Sequence, residues 1–348
     1  MSRGRFAGNR ATAEPSSDPG DLRDDLKFTE LAATTLGALC DVRTLQRERA
    51  GLRQFFAPLV LEALQGVDPD VALAPRETEV TVMFCDLRGF SRASERAAAD
   101  LLGLLERVSR ALGVATHQIR LEGGVVGDFH GDAAMGFWGW PLAQPDAIQR
   151  AARAALAIRA QFSQAQHSTS QPSTGQGAAD PLSDFQVGIG IATGNAVAGK
   201  IGTVDQVKVT VFGPVVNLAS RLEGMTKLLH APILLDERTA STLRHTLPAD
   251  TGRLRRVAVV RPYGLEQSLA VSELIPATAE FPQLQDQHIA DYEQALDDFL
   301  AGNWQLAFDR LHRVPSTDRV KDFLTVYIAQ HDRVAPPNWN GIISMSTK

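Results

Sequence analysis

The sequence predicts an α+β fold: a mixed β-sheet flanked by helices, with a helical segment before it and a helical hairpin after it. Strand-like runs and helical patterns alternate irregularly rather than in strict βαβ order, and several strands come as hairpins. The 44% hydrophobic content over 348 residues is enough for one large domain or two modest ones.

Residues 1–25 are polar, carry Pro and Gly, and read as a disordered N-terminus. From Phe28 the apolar positions repeat three and four apart: Phe28, Leu31, Thr35, Ala38, Val42, Leu45, Arg49, Leu52 and Phe56. This seam, weakened at Thr35 and Arg49, fits an amphipathic helix and a short coiled coil equally. Pro58 ends or kinks it, and a second short helix covers Leu59 to Leu64. EVTVMFCD (79–86) reads as a buried strand, and a helix follows from Arg96 to Leu121. Strand-like runs at 124–130 and 133–138 flank a turn at Gly131-Asp132. Residues 145–162 are alanine-rich and helical. The low-complexity segment Gln164 to Asp180 reads as a mobile surface loop.

FQVGIGIATGNAVAGKIG (185–202) reads as two strands around Gly194-Asn195, and VKVTVFG (207–213) as another. VNLASRLEGMTKLL (216–229) is a helix with Val216, Leu218, Ala219, Leu222 and Met225 partly on one face. ILLDERT (233–239) is a strand running into a helix cap, and 254–274 form a last hairpin. After Pro276, residues 291–311 form a helical hairpin turning at Gly302-Asn303. The final APPNWNGIISMSTK is extended and docks through Trp339 and Ile342.

The expected plan is a disordered 1–25, a helical coupling segment 26–75, a catalytic domain 76–272 with a flexible insert 164–180, and a C-terminal helical extension 273–348. A formal charge of −5 without a basic cluster argues against nucleic acid as a partner. No run approaches the ~18–20 apolar residues of a membrane span. Arg3, Arg5 and Arg10 precede no apolar core, so no secretory signal is read there. Cys40 and Cys85 stand in unlike contexts, which suggests no disulfide and a reducing, cytoplasmic compartment.

Three segments carry chemistry. In VTVMFCDLRGFS a buried strand delivers Asp86 to a glycine-containing turn at a helix start, where amides suit phosphate and the carboxylate suits a cation. Asp132, at a hairpin tip, supplies a second carboxylate; two such groups on adjacent strands can bridge two divalent ions. In VFGPVVNLASRLEGMTK, Asn217 and Arg221 are four apart and share a helix face. Arg221 suits charge neutralisation at a reacting phosphate and Asn217 suits orienting a ribose.

Together and in this order, these segments resemble the catalytic domain of the class III nucleotidyl cyclases, over about residues 76–272, whose fold is ferredoxin-like. The resemblance implies attack of a ribose 3′-hydroxyl on the α-phosphorus of a nucleoside triphosphate, giving a 3′,5′-cyclic nucleotide and pyrophosphate. It implies two divalent cations, Mg²⁺ or Mn²⁺, between Asp86 and Asp132, with the Leu87 carbonyl as an added ligand. The turn at Gly89, Phe90 and Ser91 is implied to hold the triphosphate. Asn217 and Arg221 carry over as ribose-orienting and phosphate-stabilising residues. A basic residue on the last hairpin usually reaches the triphosphate in this family; Arg261 lies nearest, with Arg255 and Arg256 as rivals. Family sites form between two domains, so a homodimer is expected, with the N-terminal helix as stalk and a point of contact for an upstream signalling partner.

The sequence departs from the family where the base is read. Adenylate-forming members carry Lys four residues before the second metal aspartate and Asp or Thr seven before the Asn. Here Thr210 fills the second position, but Asp128 stands at the first. A carboxylate accepts where an ammonium donates. Asp128 either accepts from guanine N1–H and the 2-amino group, or accepts from adenine's 6-amino group with Lys208 as donor, or faces solvent in a site with lax base reading. His130, on the same side, either pairs with Asp128 or stacks. Pro214 stands at a turn where members often have Asp or Asn. ATP is the expected substrate. The alternatives are GTP, or a catalytically weak nucleotide-binding regulator.

Overall fold

The computed structural model describes residues 19–53, 58–63, 66–90, 94–95, 100–170, 182–262 and 266–345. The chain divides into two compact units, Met1–Phe56 and Ala57–Lys348. In the first, helix α1 (Pro19–Arg53) is continuous, so helix begins before residue 26, where disorder was expected up to residue 25. Residues 1–18 and Phe56 of the seam lie outside the described residues. Along α1, Leu26, Phe28, Leu31, Leu36, Leu39 and Val42 are exposed.

In the second unit, short helices α2 (Pro58–Ala63) and α3 (Pro69–Ala72) lead into strand β1 (Arg76–Arg88). Helix α4 (Leu101–Leu121) follows, started by the Asp100 side chain accepting from Gly103 N–H. Residues 96–99, included in the helix expected from the sequence, lie outside the described residues. Strands β2 (Val125–His130) and β3 (Ala133–Trp138) form the expected hairpin. Helix α5 (Ala147–Ser170) runs seven residues into the low-complexity segment, which begins helical rather than as a loop; residues 171–181 lie outside the described residues.

The 185–202 segment departs from expectation. It forms one long strand, β4 (Gln186–Gly202), because Gly194 and Asn195 pair with Val80 and Glu79 in an unbroken ladder with β1. A Gly-Asn pair signals a turn only where no neighbouring strand takes up its backbone. Then come β5 (Val207–Phe212), α6 (Pro214–Met225), β6 (Ile233–Asp236), α7 (Glu237–Thr246), β7 (Gly252–Arg261) and β8 (Leu269–Pro276). The sheet order is β2-β3-β1-β4-β6-β8-β7, with β5 paired to the far half of β4 and with β4 and β6 parallel, so the sheet is mixed.

Odd positions of β1 (Met83, Cys85, Leu87) and of β4 (Val187, Ile189, Ile191) join the core against α4, α5 and α7. Even positions face the other way, toward α6. There Gly190 lets the helix lie directly on β4: a Cβ would stand 2.2 Å from Glu223 N and 2.3 Å from Ala219 O. Because both faces of β1 are covered, Val80 to Cys85 are all buried, which is why the sequence shows an unbroken apolar run. The buried face of α6 is Val215, Ala219, Leu222 and Met225, so Val215 replaces the expected Val216 and Leu218.

The C-terminal extension has three helices where two were read: α8 (Asp286–Leu300), α9 (Trp304–Leu311) and α10 (Val320–Ala329). Trp304 and Trp339 both donate through Nε1 to the Phe299 carbonyl, at 3.1 and 3.0 Å. The tail then adds a short strand, β9 (Ile343–Ser344), parallel to the end of β7. Ile343, not Ile342, is the buried anchor, because one residue of register moves a side chain to the opposite face.

Arg255 of β7 joins sheet and extension. It is 1% exposed, pairs with Glu273 and Asp318, and lies 4.6 Å from the centre of the Tyr292 ring. Burial opposes its charge, but the two carboxylates outweigh that and raise its pKa. Removing one member of such a network leaves buried charge uncompensated. Arg255→Ala is therefore expected to destabilise the protein by about 3–5 kcal/mol, measured by urea unfolding.

Candidate active site

β1 and the β2–β3 turn bring the two aspartates together. Asp86 sits near the end of β1, opposite Ala133 of β3. Gly131, at φ +64°, makes the tight turn that a side chain would strain, and Asp132 follows it. The Asp132 carbonyl accepts from Leu87 N–H at 3.3 Å, so the tip is tied to the strand that carries Asp86. Asp86 lies on the α6 side of the sheet, beside Phe84, whose ring stacks on His130 at 6.2 Å. His130 thus stacks on Phe84, and its proximity also favours the Asp128 carboxylate.

Burial pushes the Asp86 carboxyl up, the Asp132 charge pushes it further, and Lys227 and Arg88 offset part of this; the result is about 6. Lys227 Nζ is 3.8 Å from Asp86 Oδ2. Glu223 is raised to about 7, chiefly by burial and then by the Asp86 charge. Arg88, Glu223 and Lys227 were not singled out from the sequence. The spacing of Glu223 near the end of α6 and Lys227 just beyond it, four apart next to the Arg221 motif, was the available signal.

The acid pair suits hard divalent cations: carboxylate oxygens, with the Leu87 carbonyl one residue on, are the donors that Mg²⁺ and Mn²⁺ take. Burial is the larger cause of the upward shift of Asp86, and the Asp132 charge, the second cause, is one that a cation would offset. Among the described residues no cluster of three or more His, Cys, Asp or Glu side chains is placed to enclose a metal.

Asn217 and Arg221 lie on α6, where Pro214 takes the first helical turn behind Gly213. Among the described residues, no hydrogen bond or ion pair joins either to Asp86 or Asp132. At about 100° per residue, Arg221 lies roughly 200° around the helix from Glu223, the residue whose charge couples to Asp86. Arg221 therefore leaves α6 on a different face from Glu223. Arg221 Nη1 is buried without a hydrogen-bond partner among the described residues.

Gly89 and Phe90 directly follow β1, with Gly89 at φ +94°; Ser91 lies outside the described residues. The rivals Arg255 and Arg256 are both engaged elsewhere, Arg255 in its buried network and Arg256 with Asp297 at 2.8 and 3.0 Å. Arg261 ends β7, with its backbone held by β9 and its Nε buried and unpartnered among the described residues. It stands four strand positions from β1, on the order of 19 Å. The structure thus does not bring Arg261 to the acid pair of the same chain.

Asp128 lies on β2 just after a bulge, and Thr210 is half-buried on β5. Lys208, two residues before Thr210, reaches across to Asp128 with Nζ at 3.0 and 2.9 Å from its two carboxylate oxygens. Asp128 Oδ1 also accepts from Phe129 N–H at 2.9 Å. Partial burial raises Asp128, but the hydrogen bonds from Lys208 and Phe129 outweigh it and hold the carboxyl below its usual range.

A family model, the adenylate and guanylate cyclase catalytic domain, matches residues 73–259, and the chain belongs to that family. Adenylate cyclase 1 of Rhizobium meliloti (strain 1021) is 28% identical over 201 residues, covering 57% of this chain and 27% of that protein. An adenylate cyclase of Anabaena cylindrica is 26% identical over 228 residues, covering 65% of this chain and 42% of that protein. This chain thus spans less than half the length of either relative. A solved structure of a bacterial light-regulated adenylyl cyclase has the same fold, with TM-score 0.57 and 21% identity over 73% of this chain and 69% of that one. Among the described residues no helix is long and apolar enough to cross a membrane.

Proposed function

We propose that this chain converts a purine nucleoside triphosphate, ATP in the first instance, into the 3′,5′-cyclic nucleotide and pyrophosphate, at two sites shared between two copies of the chain. The observation that supports this is the placement of Asp86 beside Asp132, with no hydrogen bond or ion pair among the described residues joining Asn217 or Arg221 to either. One protomer then offers the acid pair and its partner offers Asn217 and Arg221. ATP is supported by the relatives named adenylate cyclases.

The 3′-hydroxyl gives up its proton to solvent water, and its oxygen attacks the α-phosphorus. The bond from that phosphorus to the bridging oxygen breaks, and pyrophosphate leaves with the electron pair. Asp86, Asp132 and the Leu87 carbonyl would hold divalent cations, which supply charge neutralisation at the phosphates and a lowered pKa at the hydroxyl. Asn217 orients the ribose. The Arg221 guanidinium, with its unpartnered Nη1, neutralises charge that grows on the phosphate. Gly89, Phe90 and Ser91 offer the triphosphate turn, and Arg261 reaches the triphosphate from the partner. The catalytic unit is assigned to 76–272, with 26–75 as a coupling helix whose exposed apolar residues suit pairing with a second copy, and 273–348 as an extension. An upstream partner acting through α1 and a cytoplasmic location complete the reading.

The test is to supply the purified chain with ATP or GTP and Mn²⁺ and identify the products by mass. Cyclic AMP with an equimolar amount of pyrophosphate is the expected result. Nucleotide binding with no cyclic product from either substrate would reject the enzyme in favour of a nucleotide-binding regulator.

A further inference from the structure

Asp128 and Lys208 belong to strands that are not neighbours in the sheet: β2 pairs with β3, and β5 pairs with β4. Their side chains nevertheless meet in a two-pronged ion pair. Both remain open to solvent, Lys208 at 52% and Asp128 at 26%. Asp128 is four residues from Asp132 on the same hairpin, at most ~13 Å along an extended chain. In the shared site proposed above, a nucleotide with its phosphates at the acid pair of one protomer presents its base to the other. Thr210 lies on the same side of β5 as Lys208.

The remaining hydrogen-bonding capacity of the pair is small and definite. Lys208 Nζ has three N–H groups, and two are given to Asp128. Asp128 Oδ1 already accepts twice, from Lys208 and from Phe129 N–H. Oδ2 accepts once, from Lys208. One donor and one acceptor site therefore remain side by side. Adenine presents one acceptor, N1, next to one donor, the 6-amino group, and satisfies both. Guanine presents one acceptor and two donors, O6, N1–H and the 2-amino group, and leaves a donor without a partner. An unmet polar group at a desolvated contact is penalised.

We infer that Asp128 and Lys208 act as one specificity-determining unit for adenine, Lys208 donating to N1 and Asp128 accepting from the 6-amino group. The chain then supplies from β5 the donor that position 128 lacks. This rests on the cyclase reading above and assigns the base at that same site.

The test measures kcat/KM separately for ATP and GTP, in the full-length chain and in Lys208→Met, which keeps the stem and removes the donor. It also measures displacement of a fluorescent nucleotide by non-hydrolysable ATP and GTP analogues. The expected result is a wild-type preference for ATP and, in Lys208→Met, a loss of about tenfold or more in kcat/KM for ATP with a much smaller change for GTP. An unchanged ATP:GTP ratio in Lys208→Met, or a wild-type preference for GTP, would overturn the assignment. If the wild type makes no cyclic product, the cyclase reading fails and displacement decides the base assignment alone. A selective weakening of the ATP analogue in Lys208→Met then supports it, and equal weakening of both analogues overturns it. Should Lys208→Met not fold, as judged by its melting curve, Asp128→Ala is measured in the same way and the same ratios decide.

Discussion

Asp86→Ala and Asp132→Ala are each expected to lower kcat by about 10³-fold or more while leaving the fold intact. Cation stabilisation of a phosphoryl transition state is worth several kcal/mol, and each 1.4 kcal/mol is about tenfold in rate. In the proposed site each substitution removes one of the two side-chain ligands, and the nearby Glu223, raised to about 7 mainly by burial and then by the Asp86 charge, is a poorer cation ligand. A stability measurement separates this from misfolding, and its sign is opposite to the usual one. The folded protein holds Asp86 at about 6 against a reference of 3.8, by burial and then by Asp132. An acid whose folded pKa is raised destabilises the fold as it ionises: the cost is absent below about pH 3.8, grows as pH rises, and is complete above about pH 6. Asp86→Asn in metal-free buffer should therefore melt higher than wild type at pH 8, on the order of 2–4 °C, with the difference shrinking toward pH 4. Loss of turnover combined with a higher melting temperature identifies a group kept for function at the expense of stability. Retained turnover in either alanine variant would reject the two-carboxylate site.

The parts of this site that were legible in the sequence are those set by local pattern. The Val80–Cys85 run marks a strand covered on both faces, so the acid after it had to emerge at a strand end. Gly131-Asp132 between two apolar runs marks a hairpin tip. What was not legible depends on partners distant in the chain. Gly194-Asn195 carries a turn signal, yet thirteen residues of β1 hold β4 straight through it. Arg255 and Arg256 look like free cations on a hairpin until the helices of the extension bring Asp318 and Asp297 to them. Lys208 was visible as a donor on the face of Thr210, but its contact with Asp128, 80 residues away, follows from how the β2 and β5 ends converge. The Ile342/Ile343 error was one of parity, since an extended tail gives no pattern long enough to fix which face is buried.

Mixing two inactive variants is expected to restore activity, to about one quarter of wild type on the order-of-magnitude count for a two-fold dimer. The variants are Asp86→Ala and Arg221→Ala, unfolded and refolded together or produced together at equal amounts. Alone, the first lacks half of its cation site. The second lacks a guanidinium that meets developing charge, a loss of about 10²–10³-fold for such groups. If each site takes Asp86 and Asp132 from one protomer and Asn217 and Arg221 from the other, a mixed dimer has one site with both lesions and one site with neither. Random pairing makes about half of the dimers mixed, each with one working site of two, hence the quarter. The count rests on the proposed shared site, which fits α6: Arg221 lies about 200° around the helix from Glu223, the residue whose charge couples to Asp86. A site built within a single chain makes the opposite prediction, because every protomer in the mixture then carries a lesion at its only site. Activity no greater than the mean of the two variants would place Asn217 and Arg221 in the same chain's site and reject the shared one.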